Sequence, residues 1–293
     1  MTDSKEISLL LVTDIHKKLE ALQKLTQHCK TTGYKPDYNI CNGDFVGISQ
    51  GGQGNQEVIA SAEKEITTLI HELENICDKV IYVPGNHDTS TMYDEVPVQL
   101  TEKSINLHMK TFKLDDDLIL LGVGGSISSP STSEVNIHSY HIDNWDNIEW
   151  KGYPYMNDIN KPLFTPCDKL FGEALTKAWD TLVPNDNSKV ILITHNGTFS
   201  CDKTNAISGS SSKVIYSGSL ELDEFIINHN DRIIANIHGH THQGKGMGRM
   251  NKTEIINVGD AQNGHWGKVV LVKNKNTNYE WCFKRIDRCT LKD

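Results

Sequence analysis

The chain has 293 residues, 37% of them hydrophobic and 23% charged, with a formal net charge of −9 at pH 7 and a sequence pI of about 5.8. That length holds one large α/β domain or two small ones, and that hydrophobic share buries a core, which excludes a disordered chain. The acidic balance argues against a nucleic-acid backbone as partner, because counterion release takes a basic surface.

Residues 1–6 are polar, and the apolar run after them is too short for a signal core or a membrane span. Seven cysteines, odd in number and without a Cys-x-x-Cys pair, speak against a disulfide framework or a thiolate zinc site. A reducing, cytoplasmic location without membrane contact is the expectation. In chain order, residues 7–13 predict a buried strand. Residues 17–32 predict a helix, with Leu19, Leu22, Leu25 and Cys29 at helical spacing and Gly33 as its C-cap. A second strand is predicted over 38–41. The next helix covers 56–77, with Ile59, Ile66, Leu69, Ile70 and Leu73 on one stripe, and a third strand over 80–83 ends at Pro84-Gly85. This βαβαβ order predicts a parallel sheet with helices packed on it.

Farther along, strands are predicted over 118–123, 189–194, 232–237, 254–258, 268–272 and 279–283, and helices over 169–181 and 220–228. No repeat or linker divides the chain, so a single domain over 1–293 is expected, with an irregular insertion at about 126–166. That insertion carries Trp145, Trp150, Tyr153 and Tyr155, which read equally as a base-stacking cover for a site or as a satellite core.

Open α/β sheets present ligands just beyond the carboxyl ends of their strands. Donor side chains recur at those places. Asp14 and His16 follow the first strand, Gly43-Asp44 the second, and Gly85-Asn86-His87-Asp88 the third. His195 ends the strand over 189–194, and Gly239-His240-Thr241-His242 follows the strand over 232–237. Two divalent ions roughly 3.5–4 Å apart need a shared anion to lower their repulsion, and Asp44, with a glycine before it, suits that bridge. Mixed imidazole, carboxylate and amide donors favour Mn, Fe, Zn or Co over calcium, with Mg admissible. The neutral Asn86 leaves the centre positive enough to receive a phosphate.

The ordered set Asp-x-His, Gly-Asp, Gly-Asn-His-Asp, His and Gly-His-x-His resembles the calcineurin-like metallophosphoesterase superfamily, with all five blocks present between Asp14 and His242. The resemblance implies two mixed β-sheets packed as an α/β sandwich flanked by helices. It implies one ion on Asp14, His16 and His242, another on Asn86, His195 and His240, and Asp44 between them. His87 would lie over the site as general acid or as a donor to the phosphoryl oxygens, and Asp88 would orient His87 or a ligand histidine. The activity implied is hydrolysis of a small phosphate mono- or diester by a hydroxide that bridges the two metals, made available near neutral pH because the ions lower the pKa of water from about 15.7 toward roughly 7.

Two departures count against the protein Ser/Thr phosphatase branch. No arginine follows Asp44 in Phe45-Val46-Gly47, and the third block ends in Asp88 where that branch has glutamate. The same run has no tyrosine of the purple acid phosphatase kind. A catalytically silent metal-binding scaffold of the same fold is the alternative, although no ligand block is eroded. His28, His71, His108, His138, His141 and His229 read as solvated or core residues, and His238 as a hydrogen-bonded core residue. His265, behind Asn257-Val258-Gly259-Asp260, has the cleft wall as one of its readings. Gly51-Gly52-Gln53-Gly54 lacks the Lys-Ser/Thr ending of a phosphate-binding loop and reads as a flexible loop near the mouth. No motif addresses oligomeric state.

Overall fold

The computed structural model describes residues 5–48, 55–127, 155–158, 161–163, 165–183, 186–201, 204, 206–208, 214–216, 218–274 and 280–291. In chain order the elements are β1 (Glu6–Val12), α1 (Leu19–Thr32), β2 (Tyr38–Cys41), α2 (Gln56–Glu74), β3 (Val80–Tyr82), β4 (Ser104–Asn106), β5 (Lys110–Asp115) and β6 (Leu118–Val123). There follow β7 (Tyr155–Asp158), β8 (Lys161–Leu163), α3 (Thr165–Leu182), β9 (Lys189–Thr194), β10 (Ala206–Ser208), β11 (Val214–Tyr216) and α4 (Leu220–Asn228). The chain then forms β12 (Ile233–His238), β13 (Gly246–Met250), β14 (Thr253–Asn257), β15 (His265–Asn274) and β16 (Glu280–Thr290).

Two six-stranded sheets carry the fold, one in the order β16-β15-β1-β2-β3-β4 and the other β13-β14-β12-β9-β6-β5. Both are mixed, as the family resemblance implies; the parallel pairing expected from the βαβαβ order is present in β1, β2 and β3, and antiparallel strands add to it at an edge. Strands β1 to β4 run parallel, but β15 joins β1 antiparallel and β16 extends that edge as a hairpin. In the second sheet β14, β12, β9 and β6 are parallel, with antiparallel β13 and β5 at the edges.

Alternation along each strand builds three hydrophobic layers. On β1, Leu9 and Leu11 point between the sheets, whereas Leu10 and Val12 face the layer under α1 and α2. On β6, Leu118 and Leu120 face the same intersheet layer, while Ile119, Leu121 and Val123 pack under α3 and α4 with Phe171, Leu175 and Phe225. Burial on both faces is why these strands read as unbroken apolar runs.

Helix boundaries follow local chemistry. Helix α1 starts at Leu19, not at residue 17, because His16 (φ 45°) and Lys17 (φ 66°) hold left-handed backbone. It ends at Gly33 (φ 69°), where the Tyr34 N–H donates to the Cys29 carbonyl at 3.0 Å. Asn55 caps α2 by accepting from the Glu57 and Val58 amides. Helix α3 begins at Thr165, earlier than expected, with Pro166 in the first turn where no intrahelical N–H is required. The expected irregular insertion is therefore shorter at its far end, where β7 and β8 also pair. Trp145, Trp150, Tyr153, His138, His141 and Gly51 to Gly54 lie outside the described residues, as does the side chain of Tyr155.

His108 shows how a histidine serves the core. It is 7% exposed, its Nδ1 accepts the Gly124 N–H at 3.0 Å, and the Tyr93 ring sits 4.9 Å away. Burial, with the Lys110 charge second, pushes its pKa down from 6.5 to about 3. The folded chain then binds fewer protons than the unfolded one between those values, so stability falls as pH drops through that window. Each such group contributes about 1.4 kcal/mol per pH unit. Urea unfolding of His108→Gln between pH 6.5 and about 5 is expected to show a shallower acid dependence by roughly one proton; an unchanged slope would show that His108 titrates normally.

Candidate metal centre

The carboxyl ends of both sheets' parallel strands meet at one rim, and seven donor side chains gather there. Among the described residues, seven non-glycine residues have positive φ, and Asp14 (53°), His16 (45°), Asp44 (54°) and His240 (66°) are four of them. Left-handed backbone at side-chain-bearing residues persists only where neighbours hold it. Here the Asp14 N–H donates to the Gly43 carbonyl, and the Ile15 and His16 amides both donate to that of Asp44. Gly43 (φ 89°) makes this crossing possible, because a Cβ there would stand 2.4 Å from the Gly85 nitrogen.

The donors form two trios, Asp14–His16–His242 and Asp44–His195–His240, each with its candidate ligand atoms within 4.8 Å of one another. In the first, His242 Nε2 lies 3.2 Å from Asp14 Oδ1 and 3.0 Å from His16 Nε2. In the second, His195 Nε2 lies 3.3 Å from Asp44 Oδ2 and 3.1 Å from Asn86 Oδ1. Asp44 Oδ2 is also 3.9 Å from His16 Nε2, so one carboxylate oxygen stands between the trios.

Each imidazole is turned by a bond on its outer nitrogen. His16 Nδ1 donates to the Val46 carbonyl (3.1 Å), and His195 Nδ1 to that of Asn42 (2.6 Å). The Gln262 amide sits 3.2 Å from His242 Nδ1. His240 is reversed. The Ser126 hydroxyl donates to Asn196 Oδ1 and accepts from His240 Nε2 at 3.0 Å, so Nδ1 faces the centre. Asp14 Oδ2 takes the Thr13 hydroxyl (2.6 Å) and the His240 amide (3.0 Å), whereas its Oδ1 is buried and accepts no hydrogen bond. A buried carboxylate oxygen left without a donor, with His242 Nε2 at 3.2 Å and His16 Nε2 at 3.9 Å, fits a divalent cation.

Charge in the cluster is strongly coupled. Burial opposes the Asp44 carboxylate, yet the adjoining His195 and the charges of His87 and His16 hold it well below the usual carboxylate range. Asp14 is lowered likewise, burial being outweighed by His242 and His195. Burial disfavours the His195 cation too, but Asp44 and Asp14 raise that residue to about 9. His240, buried beside His195, falls to about 3.

His87 is half-buried, its amide donates to Asp44 Oδ1 at 2.9 Å, and its ring lies 5.7 Å from that of His16. Asp88 stands elsewhere than the expected place beside a histidine. Its buried carboxylate accepts the amides of Asp44 (2.8 Å), Phe45 (2.8 Å), Val46 (3.3 Å) and Gly85 (2.8 Å). Burial and the nearby Asp44 push Asp88 up to about 7, against the pull of those amides. It is a clasp between two loops. His238 is fully buried with Nδ1 3.1 Å from the Gly239 carbonyl, and burial lowers it to about 4. His28 packs edge-on to Trp266, His71 bonds Glu74, and His229 Nδ1 donates to the Phe225 carbonyl.

The centre opens into a cavity of about 500 Å³ whose wall includes Asp44, His87, His240 and His242, and also His265. His265 thus takes the cleft-wall place. Its partner Asp260, with Gln262, Asn42 and Ser126, went unread in the sequence. The one available signal was the turn-forming Gly259-Asp260 after an apolar strand.

The calcineurin-like phosphoesterase family model matches residues 7–244. The chain belongs to the calcineurin-like phosphoesterases. The fold agrees. A protein of Thermus thermophilus gives a TM-score of 0.56 at 15% identity, over 98% of this chain and 99% of that one. A dimetal phosphatase from Danio rerio gives 0.51 at 12% identity, over 91% and 95%. Identities this low carry the fold alone. No curated protein matches the chain. No helix of the described residues in this phosphoesterase is long and apolar enough to cross a membrane.

Replacing Asp44 by Asn removes the anion between the trios. Metal content by mass spectrometry is expected to fall at both sites together; loss of one ion with the other held at wild-type affinity would exclude a shared role for Asp44.

Proposed function

We propose that this phosphoesterase hydrolyses a small phosphate mono- or diester at a binuclear centre. Asp14, His16 and His242 would hold one ion, Asn86, His195 and His240 the other, with Asp44 available to both. The observation that carries this reading is the position of Asp44 Oδ2, 3.9 Å from His16 Nε2 and 3.3 Å from His195 Nε2, at the floor of an open cavity. Two divalent ions there would supply a water of lowered pKa and positive charge toward the phosphoryl oxygens. Mn, Fe, Zn or Co suits the donor set, and Mg is admissible.

The chain's own groups do the rest. Second-partner bonds to Val46, Asn42, Gln262 and Ser126 fix the imidazoles before substrate arrives, so little reorganisation accompanies the reaction. His87 is anchored through its amide to Asp44, and its Nδ1 lies 3.4 Å from the Ile48 carbonyl. That leaves Nε2 to donate a proton to the departing oxygen. Asp88 acts on catalysis only by holding the Asp44 and Asn86 loops together. A single domain in a reducing cytoplasm is the setting proposed for it; Cys29, Cys41, Cys77, Cys201, Cys282 and Cys289 are free of disulfides.

The test compares bis-p-nitrophenyl phosphate with p-nitrophenyl phosphate on metal-stripped protein reconstituted with Mn, Co, Zn or Mg. Metal-dependent turnover of either ester is expected, and the ratio assigns diester or monoester preference. His87→Ala is expected to keep both ions and lose about 10²–10⁴-fold in kcat; loss of metal in that variant would remove the role given to His87. Binding of two ions with turnover of neither ester would favour the silent scaffold.

A further inference from the structure

The cavity has a second wall that the metal centre does not use. Strand β12 leads through His240 and His242 to Lys245, which immediately precedes β13. The antiparallel partner β14 then leads through Gly259 and a short 3-10 turn to His265, the first residue of β15. The pairing of Gly246 with Asn257 brings these two loops side by side. Gly259 (φ 84°) lies beneath both side chains, for a Cβ there would stand 3.0 Å from His265 Nδ1 and 3.0 Å from Lys245 Cδ. A bare backbone at that position is what lets Lys245 and His265 converge on one part of the cavity.

The chemistry of this wall is uniform. Asp260, its acid, is 2% exposed and already engaged by His265 Nδ1 at 2.9 Å and by the Asn263 side-chain amide. With Nδ1 so held, Nε2 is the His265 nitrogen left for a ligand. Lys245 adds an ammonium, its Nζ 3.5 Å from the Thr290 hydroxyl, and Gln243 adds a side-chain amide. Among the described residues, every side chain that lines the cavity is of a polar or charged type, with no aliphatic or phenyl residue among them. A wall that offers an ammonium and several N–H donors, with its one carboxylate already engaged, is a local feature in a chain of net charge −9.

We infer that this wall is a subsite for a second anionic group on the substrate, so that the ester cleaved carries a carboxylate or another phosphate on its leaving group. Lys245 and His265 determine specificity by binding that group, not by taking part in bond cleavage. The inference rests on the hydrolase reading for its kinetic arm and stands apart from it in its binding arm.

The experiment uses the metal-loaded full chain and two three-carbon monoesters, glycerol 3-phosphate and 3-phosphoglycerate, which differ in the leaving group's carboxylate. Calorimetry gives the ratio of their affinities, and turnover gives the ratio of kcat/KM. The wild type is expected to favour 3-phosphoglycerate by about ten-fold or more, the scale of one charge-assisted hydrogen bond. Lys245→Met and His265→Asn are each expected to bring the ratio toward one, and Lys245→Arg to keep it. Equal ratios in the wild type, or a preference that survives both substitutions, would overturn the inference. If neither ester turns over, the hydrolase reading fails for this class, and the affinity ratio alone decides the subsite by the same criteria.

Discussion

A buried asparagine is one of the hydrogen-bonding residues that join the two sheets at the rim. Asn42, at the end of β2, donates from Nδ2 to the Thr194 carbonyl (3.0 Å) and the Ile237 carbonyl (2.8 Å), while its own carbonyl accepts from His195 Nδ1 (2.6 Å). One residue of the first sheet thereby ties the ends of β9 and β12 in the second. With the bond from the His240 amide to Asp14 Oδ2, that tie resists sliding of the surface that carries Asp44 over the one that carries His195. The fully buried amide makes such sliding expensive, because each donor would be left unsatisfied in a dry interior. Everything said of the centre, from the shared Asp44 oxygen to the outward bonds of the imidazoles, presupposes this junction.

Much of this arrangement was legible beforehand, for identifiable reasons. Strands buried on both faces announce themselves as apolar runs, and β1, β6 and β9 were found within a residue or so of their limits. The donors at their ends needed only the rule that ligands gather past carboxyl termini. What escaped was short, at an edge or dependent on distant partners. Strands β4 and β13 are three and five residues long, and β13 holds two glycines, so neither carries a pattern of its own. The antiparallel entry of β15 beside β1 joins residues more than 250 positions apart, which no local periodicity encodes. The bonding of Asp88 depends on distant partners in the same way. A carboxylate next to His87 in sequence turns inward to collect four backbone amides, and only the folded crossing of two loops puts those amides there.

The left-handed backbone at Asp14, His16, Asp44 and His240 adds a further point. Such conformations are unfavourable by roughly 1–3 kcal/mol each for residues with a Cβ. They occur here at four residues whose donor atoms belong to the two trios, Asp14 and His16 in one loop, Asp44 and His240 in two others. The surrounding amide-to-carbonyl bonds, such as those from Ile15 and His16 to Asp44, hold these conformations in place.

The pairing of β1 with β15 also sets an order of events in biosynthesis. Asp14 is among the first donors to leave the ribosome, yet the carbonyls of Thr13 and Asp14 are bonded by the amides of Ala261 and Gln262, and Gln262 also steadies His242. The loop that orients the first trio is therefore complete only after residues 261 and 262 have been made. An ion held by Asp14, His16 and His242 would find its donors fully oriented only once that late loop has docked on the end of β1.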